Sequence, residues 1–120
     1  MDAAFWEAWD HLLAQTEPVI DRPKGSAHPR FPSLIYPADY GYLKNTTSMD
    51  GEGIDLWRGT EAGAGLDAIL CTVDLMKRDA EVKLLINCSE AEKQAIYLFH
   101  NQSEWMKAIL IRREGQNGVS

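Results

Sequence analysis

Apolar positions along the chain change their period several times, and each change marks an element. Phe5, Ala8, Trp9, Leu12 and Leu13 recur at the spacing of one helix face. They predict an amphipathic helix over residues 3–14, with Asp2 as its N-cap. Pro18 ends it, and "PVIDRP" follows as a short extended segment. Five prolines between positions 18 and 37 exclude further helix there. Beyond them, "SLIYP", "YGYLKNT" and "GIDLWRGT" read as strand pieces, the last followed by the turn-rich "EAGAG". "LDAILCTVDLM" and "EVKLLINC" are β-rich runs around the polar "KRDA", the pattern of a hairpin. Ser89 and Glu92 form a capping-box pair that opens a helix over residues 90–106. "AILIRR" reads as a last strand and "EGQNGVS" as a loose tail. The pattern predicts one α+β domain, 1–120, in which a small β-barrel or sheet is flanked by helices.

Composition narrows the functional classes. A chain of 120 residues with 45% hydrophobic and 25% charged positions suits one ordinary globular core. The formal net charge of −6 opposes binding to nucleic acid or to an anionic membrane surface. No apolar run approaches the ~20 residues that span a bilayer. Acidic residues in "MDAAFWEAWDHLL" stand where a signal peptide is basic, so a cytoplasmic location is expected. Cys71 and Cys88 lie in apolar runs and read as free buried thiols.

The candidate chemistry lies in the carboxylates. Asp50, Glu52 and Asp55 crowd into six residues with no lysine or arginine between them. Such crowding is relieved by solvent, a shared proton or a bound cation. A polar surface turn is the plain reading of "SMDGEG". Strand alternation, however, turns Asp55 away from Ile54 and Leu56, and Asp79 and Glu81 form a second pair at alternate spacing. If the two segments face each other they call for divalent cations, and all-oxygen ligands favour Mg²⁺, Mn²⁺ or Ca²⁺ over zinc. An EF-hand fails, because Ile54 holds a ligand position and Asp55 the position that needs glycine. "GAG" at 63–65 lacks the lysine of a P-loop. His11 and His100 read as surface or packing residues, while His28, beside Pro29 and Arg30, is a candidate substrate donor.

The stretch from Val19 to Leu85 resembles the family I (soluble) inorganic pyrophosphatases, in a short variant. "PKGS" at 23–26, "YPADYGYLKNT" at 36–46 and "DGEGIDL" at 50–56 carry the resemblance. It implies an OB-like five-stranded β-barrel with N- and C-terminal helices, and Mg²⁺-dependent hydrolysis of pyrophosphate, with Mn²⁺ as an alternative cation. By position, Asp50 and Asp55 would bind metal, Glu52 would orient or deprotonate the attacking water, and Asp79 and Glu81 would complete the cage. Tyr40 would hydrogen-bond phosphate, Lys24 belongs to the "PKGS" motif and Arg30 lies one position from the family's phosphate-site lysine; Arg22 and Arg78, which flank the site segments, and His28 are further candidates to bind substrate. Glu52 and Glu81 stand where the family has aspartate, and the family's further hairpin before "YPxxYGY" has no room here. A homo-oligomer is expected; Trp6 and Trp9 either dock a second subunit or pack on their own domain. The rival readings are hydrolysis of an organic diphosphate by the same metals, and a non-catalytic binding domain on the same fold.

Overall fold

Two helices and six strands make up the described residues 2–113 of the computed structural model. Helix α1 spans Ala3–Ala14, and Pro18–Arg22, Asp39–Leu43 and Asp55–Arg58 form β1, β2 and β3. Leu66–Asp74 and Asp79–Ile86 are β4 and β5, Glu90–Asn101 is α2, and Met106–Arg112 is β6. The six strands form one mixed sheet in the order β1-β2-β3-β5-β4-β6. Every pairing is antiparallel except β3 with β5, which run parallel with Leu56, Trp57 and Arg58 opposite Leu84, Leu85 and Ile86.

The α+β class and the "KRDA" hairpin are as the sequence predicts; the five-stranded barrel is corrected. The sheet has six strands, because "PVIDR" joins its edge against β2. Among the described residues its outer strands, β1 and β6, are not paired with each other, so the sheet stays open. "SLIYP" is not a strand: only Ile35 bridges, to Ala27, since prolines flank the segment and supply no ladder donor. The second helix ends at Asn101 rather than 106, and β6 follows it, so it is not C-terminal. Its capping box is present, with the Ser89 side chain accepting from Glu92 N–H and the Glu92 carboxylate from Ser89 N–H. Asp2 does not cap α1 through its side chain; its backbone carbonyl accepts from Phe5 and Trp6 instead. The tail expected at 114–120 lies outside the described residues.

Both faces of the sheet are covered, which is why β4 reads as a nearly unbroken apolar run. On one face Trp6 of α1 packs with Leu43, Leu56, Ile69 and Leu84. On the other, Ile96 of α2 packs with Tyr36, Trp57, Leu70 and Leu85. Trp6 is therefore a core residue of its own domain, 3% exposed. Cys71 and Cys88 are free thiols, Cys88 buried and Cys71 half-buried; burial pushes the Cys88 thiol up to about 12. No described helix is long and apolar enough to cross a membrane.

Candidate active site

The register brings the chemistry onto the α2 face of the sheet. Tyr40 lies opposite Trp57 and Tyr42 opposite Asp55, while Trp57 neighbours Leu85 across the parallel pair. Alternation down β5 then places Lys83 and Glu81 on that same face. Gly41 closes the arrangement at the edge: a Cβ there would meet the Val19 carbonyl oxygen at 1.8 Å. Glycine lets β1 approach and sets Arg22 opposite Tyr40.

Four side chains from three strands meet at one point. The Lys83 ammonium donates to Tyr40 Oη at 2.8 Å, Asp55 Oδ2 at 2.9 Å and Glu81 Oε1 at 2.9 Å. The Tyr40 hydroxyl in turn donates to Asp55 Oδ2 at 2.7 Å. The Lys83 side chain is 5% exposed, those of Asp55 and Glu81 29% and 18%. Burial works against the Lys83 charge, but the Tyr40 hydroxyl and the two carboxylates outweigh it and hold its pKa above the ordinary lysine value. Burial likewise raises the Tyr40 phenol against the pull of Lys83, so it stays a protonated donor.

Asp50 and Glu52 enter from the loop between β2 and β3. Asp50 Oδ1 accepts from the Ser48 hydroxyl at 2.6 Å and from Glu52 N–H at 2.9 Å. These bonds hold Asp50 below the usual carboxylate range, with the neighbouring Glu81 carboxyl contributing less. Among the described residues Asp50 Oδ2, Asp55 Oδ1, Glu81 Oε2 and the Glu52 carboxylate accept no hydrogen bond. No three Asp, Glu, His or Cys among the described residues stand as a ready-made cage. What the loop and β5 offer is a set of spare, hard oxygen donors around one cavity. Oxygen donors of this kind suit a hard divalent cation.

The cavity that these groups line has a volume of about 1080 Å³. Arg22, His28, Arg30, Tyr40, Asp50, Glu52, Asp55 and Glu81, all singled out in the sequence, share its wall. Lys24, Arg78 and Asp79 do not. Lys24 turns its backbone N–H to Asp39 at 2.9 Å, Arg78 sits in the hairpin turn at φ 60°, and Asp79 lies at the hairpin's outer end opposite Asp74. Arg22 Nη1 donates to Tyr36 Oη at 2.6 Å, and its guanidinium lies 5.7 Å over the Tyr36 ring and 6.0 Å over that of Tyr40. His28 Nδ1 accepts from the N–H groups of Arg30 at 3.0 Å and Phe31 at 3.2 Å, which leaves Nε2 to carry the proton. Burial, then the charges of Arg22, Lys77 and Arg30, lower the His28 pKa, so the ring is a neutral donor near neutral pH.

Two groups on this wall escape sequence reasoning. Lys83 is the hub of the cluster, yet nothing in "EVKLLIN" marks it except its place two residues from Glu81. Asp74 reaches the wall from the end of β4, where Asp79 was expected. Its Oδ1 accepts from Met76 and Lys77 N–H at 2.9 and 3.0 Å. "VDLMK" carries that turn signal and no hint of a site.

No protein-family model matches the sequence, and no curated protein matches it. Solved structures do. An inorganic pyrophosphatase from Neisseria gonorrhoeae superposes with a TM-score of 0.64 at 16% identity, over 85% of this chain and 84% of that one. The inorganic pyrophosphatase from Coxiella burnetii gives 0.61 at 16% identity, over 81% and 85% of the two chains. That from Helicobacter pylori gives 0.59 at 19% identity, over 85% and 86%. The chain has the fold of the inorganic pyrophosphatases.

Proposed function

On a fold shared with inorganic pyrophosphatases, we propose that this chain hydrolyses inorganic pyrophosphate to two phosphates with Mg²⁺, or alternatively Mn²⁺. The observation that carries the reading is the meeting of Tyr40, Asp55, Glu81 and Lys83 in one cavity, with Arg22 alongside and the Asp50–Glu52 loop above. Asp50, Glu52, Asp55 and Glu81 would hold the metal, joined by Asp74 in place of Asp79. When bound, the cation neutralises the anion and lowers the pKa of water toward neutrality.

The chain's own groups supply the rest. Arg22 lines the cavity as a candidate phosphate donor, and Lys83, its three N–H groups engaged, adds fixed positive charge beneath it in a setting less screened than water. Lys83 also prevents Asp55 and Glu81 from repelling each other before substrate arrives. Glu52, whose carboxylate is unengaged, would take the proton of the attacking water. Arg30, and His28 through Nε2–H, add donors to the same cavity. The leaving phosphate would then face arginine rather than another carboxylate. The same reading makes the enzyme a cytoplasmic homo-oligomer that needs neither nucleic acid nor membrane.

The test is phosphate release from pyrophosphate across a Mg²⁺ and Mn²⁺ series, with D55N as the control. Release that needs the cation and falls in D55N supports the reading. No release with either cation ends it.

A further inference from the structure

The cavity is far larger than its ionic floor requires. At about 1080 Å³ it lies at the top of the roughly 300–1,000 Å³ that sites for drug-sized ligands occupy. A bare pyrophosphate against Arg22, over Lys83, leaves most of it vacant. Part of the remaining wall is aromatic, beside Leu34, Met76 and Met106. The Phe31 ring lies 5.3 Å from His28, and His28 stacks on Tyr36 at 6.0 Å with only 16° between their planes. Phe99 of α2 continues the surface, 5.1 Å from Tyr36. Phe31 is 45% exposed and Trp105 50% exposed, both on the lining of this cavity. Core packing does not account for rings that remain this open while lining a charged site.

Polar groups lie on the same wall. Gln102 and Ser103 line the cavity between Phe99 and Trp105 in sequence. The Gln102 amide donates to the Phe99 carbonyl at 3.2 Å, and Ser103 Oγ accepts from Trp105 N–H at 3.1 Å. Among the described residues the Gln102 amide oxygen has no donor and the Ser103 hydroxyl proton no acceptor. Open aromatic faces beside spare hydrogen-bonding groups suit a flat ring with a polar edge; an alkyl chain would leave those groups unpaired.

Resting on the pyrophosphate reading for the ionic floor, we propose that the preferred substrate is a nucleoside diphosphate. Its phosphoanhydride lies against Arg22, over the buried positive charge of Lys83, and its base lies against Phe31 and Trp105. The reaction is hydrolysis at the terminal phosphorus. The water oxygen bonds to that phosphorus as its bond to the bridging oxygen breaks, and the electron pair stays with the bridging oxygen on the departing nucleoside monophosphate. One water proton passes to Glu52 and then to solvent, the other remains on orthophosphate, and no oxidant or reductant is needed.

Calorimetric titration with Mg²⁺ present, using α,β-methylene-ADP and methylenediphosphonate as non-hydrolysable probes, tests the assignment. The nucleotide analogue is expected to bind at least about tenfold tighter, the contribution of one stacked base. F31A and W105A, both at open surface positions, should narrow that ratio severalfold, and ADP should show the higher kcat/KM in a parallel phosphate-release assay. Equal affinity for the two probes, or a ratio unmoved in both variants, overturns the nucleotide assignment and leaves pyrophosphate hydrolysis standing. Failure to bind either probe together with no phosphate release overturns both.

Discussion

Lys83 shows how a single residue sets the character of the site. It binds two carboxylates and a phenol while almost wholly buried, so its removal strands Asp55 and Glu81 side by side without counter-charge. Losing one partner of a buried ion pair costs about 3–5 kcal/mol. The partial exposure of Asp55 and Glu81 puts K83M at the lower end of that range, measured by urea unfolding near pH 7. D55N removes the charge that Tyr40 and Lys83 share and is expected to lower phosphate release by about 10²-fold or more, with a smaller effect on stability. At this scale the sequence was legible where the signal is local. Asp50, Glu52 and Asp55 announce themselves by crowding, and His28 by its neighbours. Lys83 does not, because its role depends on β3 and β5 lying parallel, which brings Lys83 to Asp55 across 28 positions of sequence. Asp79 is expected at the site but Asp74 lines it, for a related reason: alternation gives the face but not the distance along the strand from the loop that it must meet.

Local sequence signals mark where elements begin more sharply than where they end. Helix α2 begins where its capping box says, and S89A is expected to cost about 1 kcal/mol, seen as a lower urea midpoint with an unchanged slope. Its end was read several residues late because the stop signal is tertiary. The Asn101 side chain donates to the Tyr97 carbonyl at 2.8 Å and the Ala108 carbonyl at 3.2 Å, and accepts from Ala108 N–H at 3.0 Å. These bonds tie the last turn of the helix to β6, and no local propensity in "HNQSEW" foretells them. The number of strands was missed in the same way. "PVIDR" has no sequence partner of its own kind and becomes a strand only because Gly41 admits it against β2. Element order and type follow from local period, whereas boundaries and sheet closure follow from contacts that the period does not contain.

At the scale of the whole molecule, the two cores meet across one sheet, and His100 links the α2 side to its centre. It is 7% exposed; its Nε2 lies 3.1 Å from the donating Trp57 indole N–H, and its Nδ1 lies 3.3 Å from Met106 Sδ. Burial, with the positive charge of Lys83 adding to it, lowers the ring's pKa to about 3. In the unfolded chain the ring titrates near the ordinary histidine value of about 6.5. Between those two values the unfolded state binds a proton that the folded state refuses. The stability that neutral His100 allows is therefore complete above about pH 6.5 and is lost as the pH falls toward 3, by up to about 1.4 kcal/mol for each unit. His28 is lowered in the same sense, so wild type must be compared with H100Q, which keeps an acceptor for Trp57 and removes this titration. Urea unfolding at pH 7.5 and at pH 5 should show wild type losing more stability than H100Q between the two, by about 1–2 kcal/mol. Equal losses in the two proteins would mean that His100 takes up its proton in the folded state as readily as in the unfolded one.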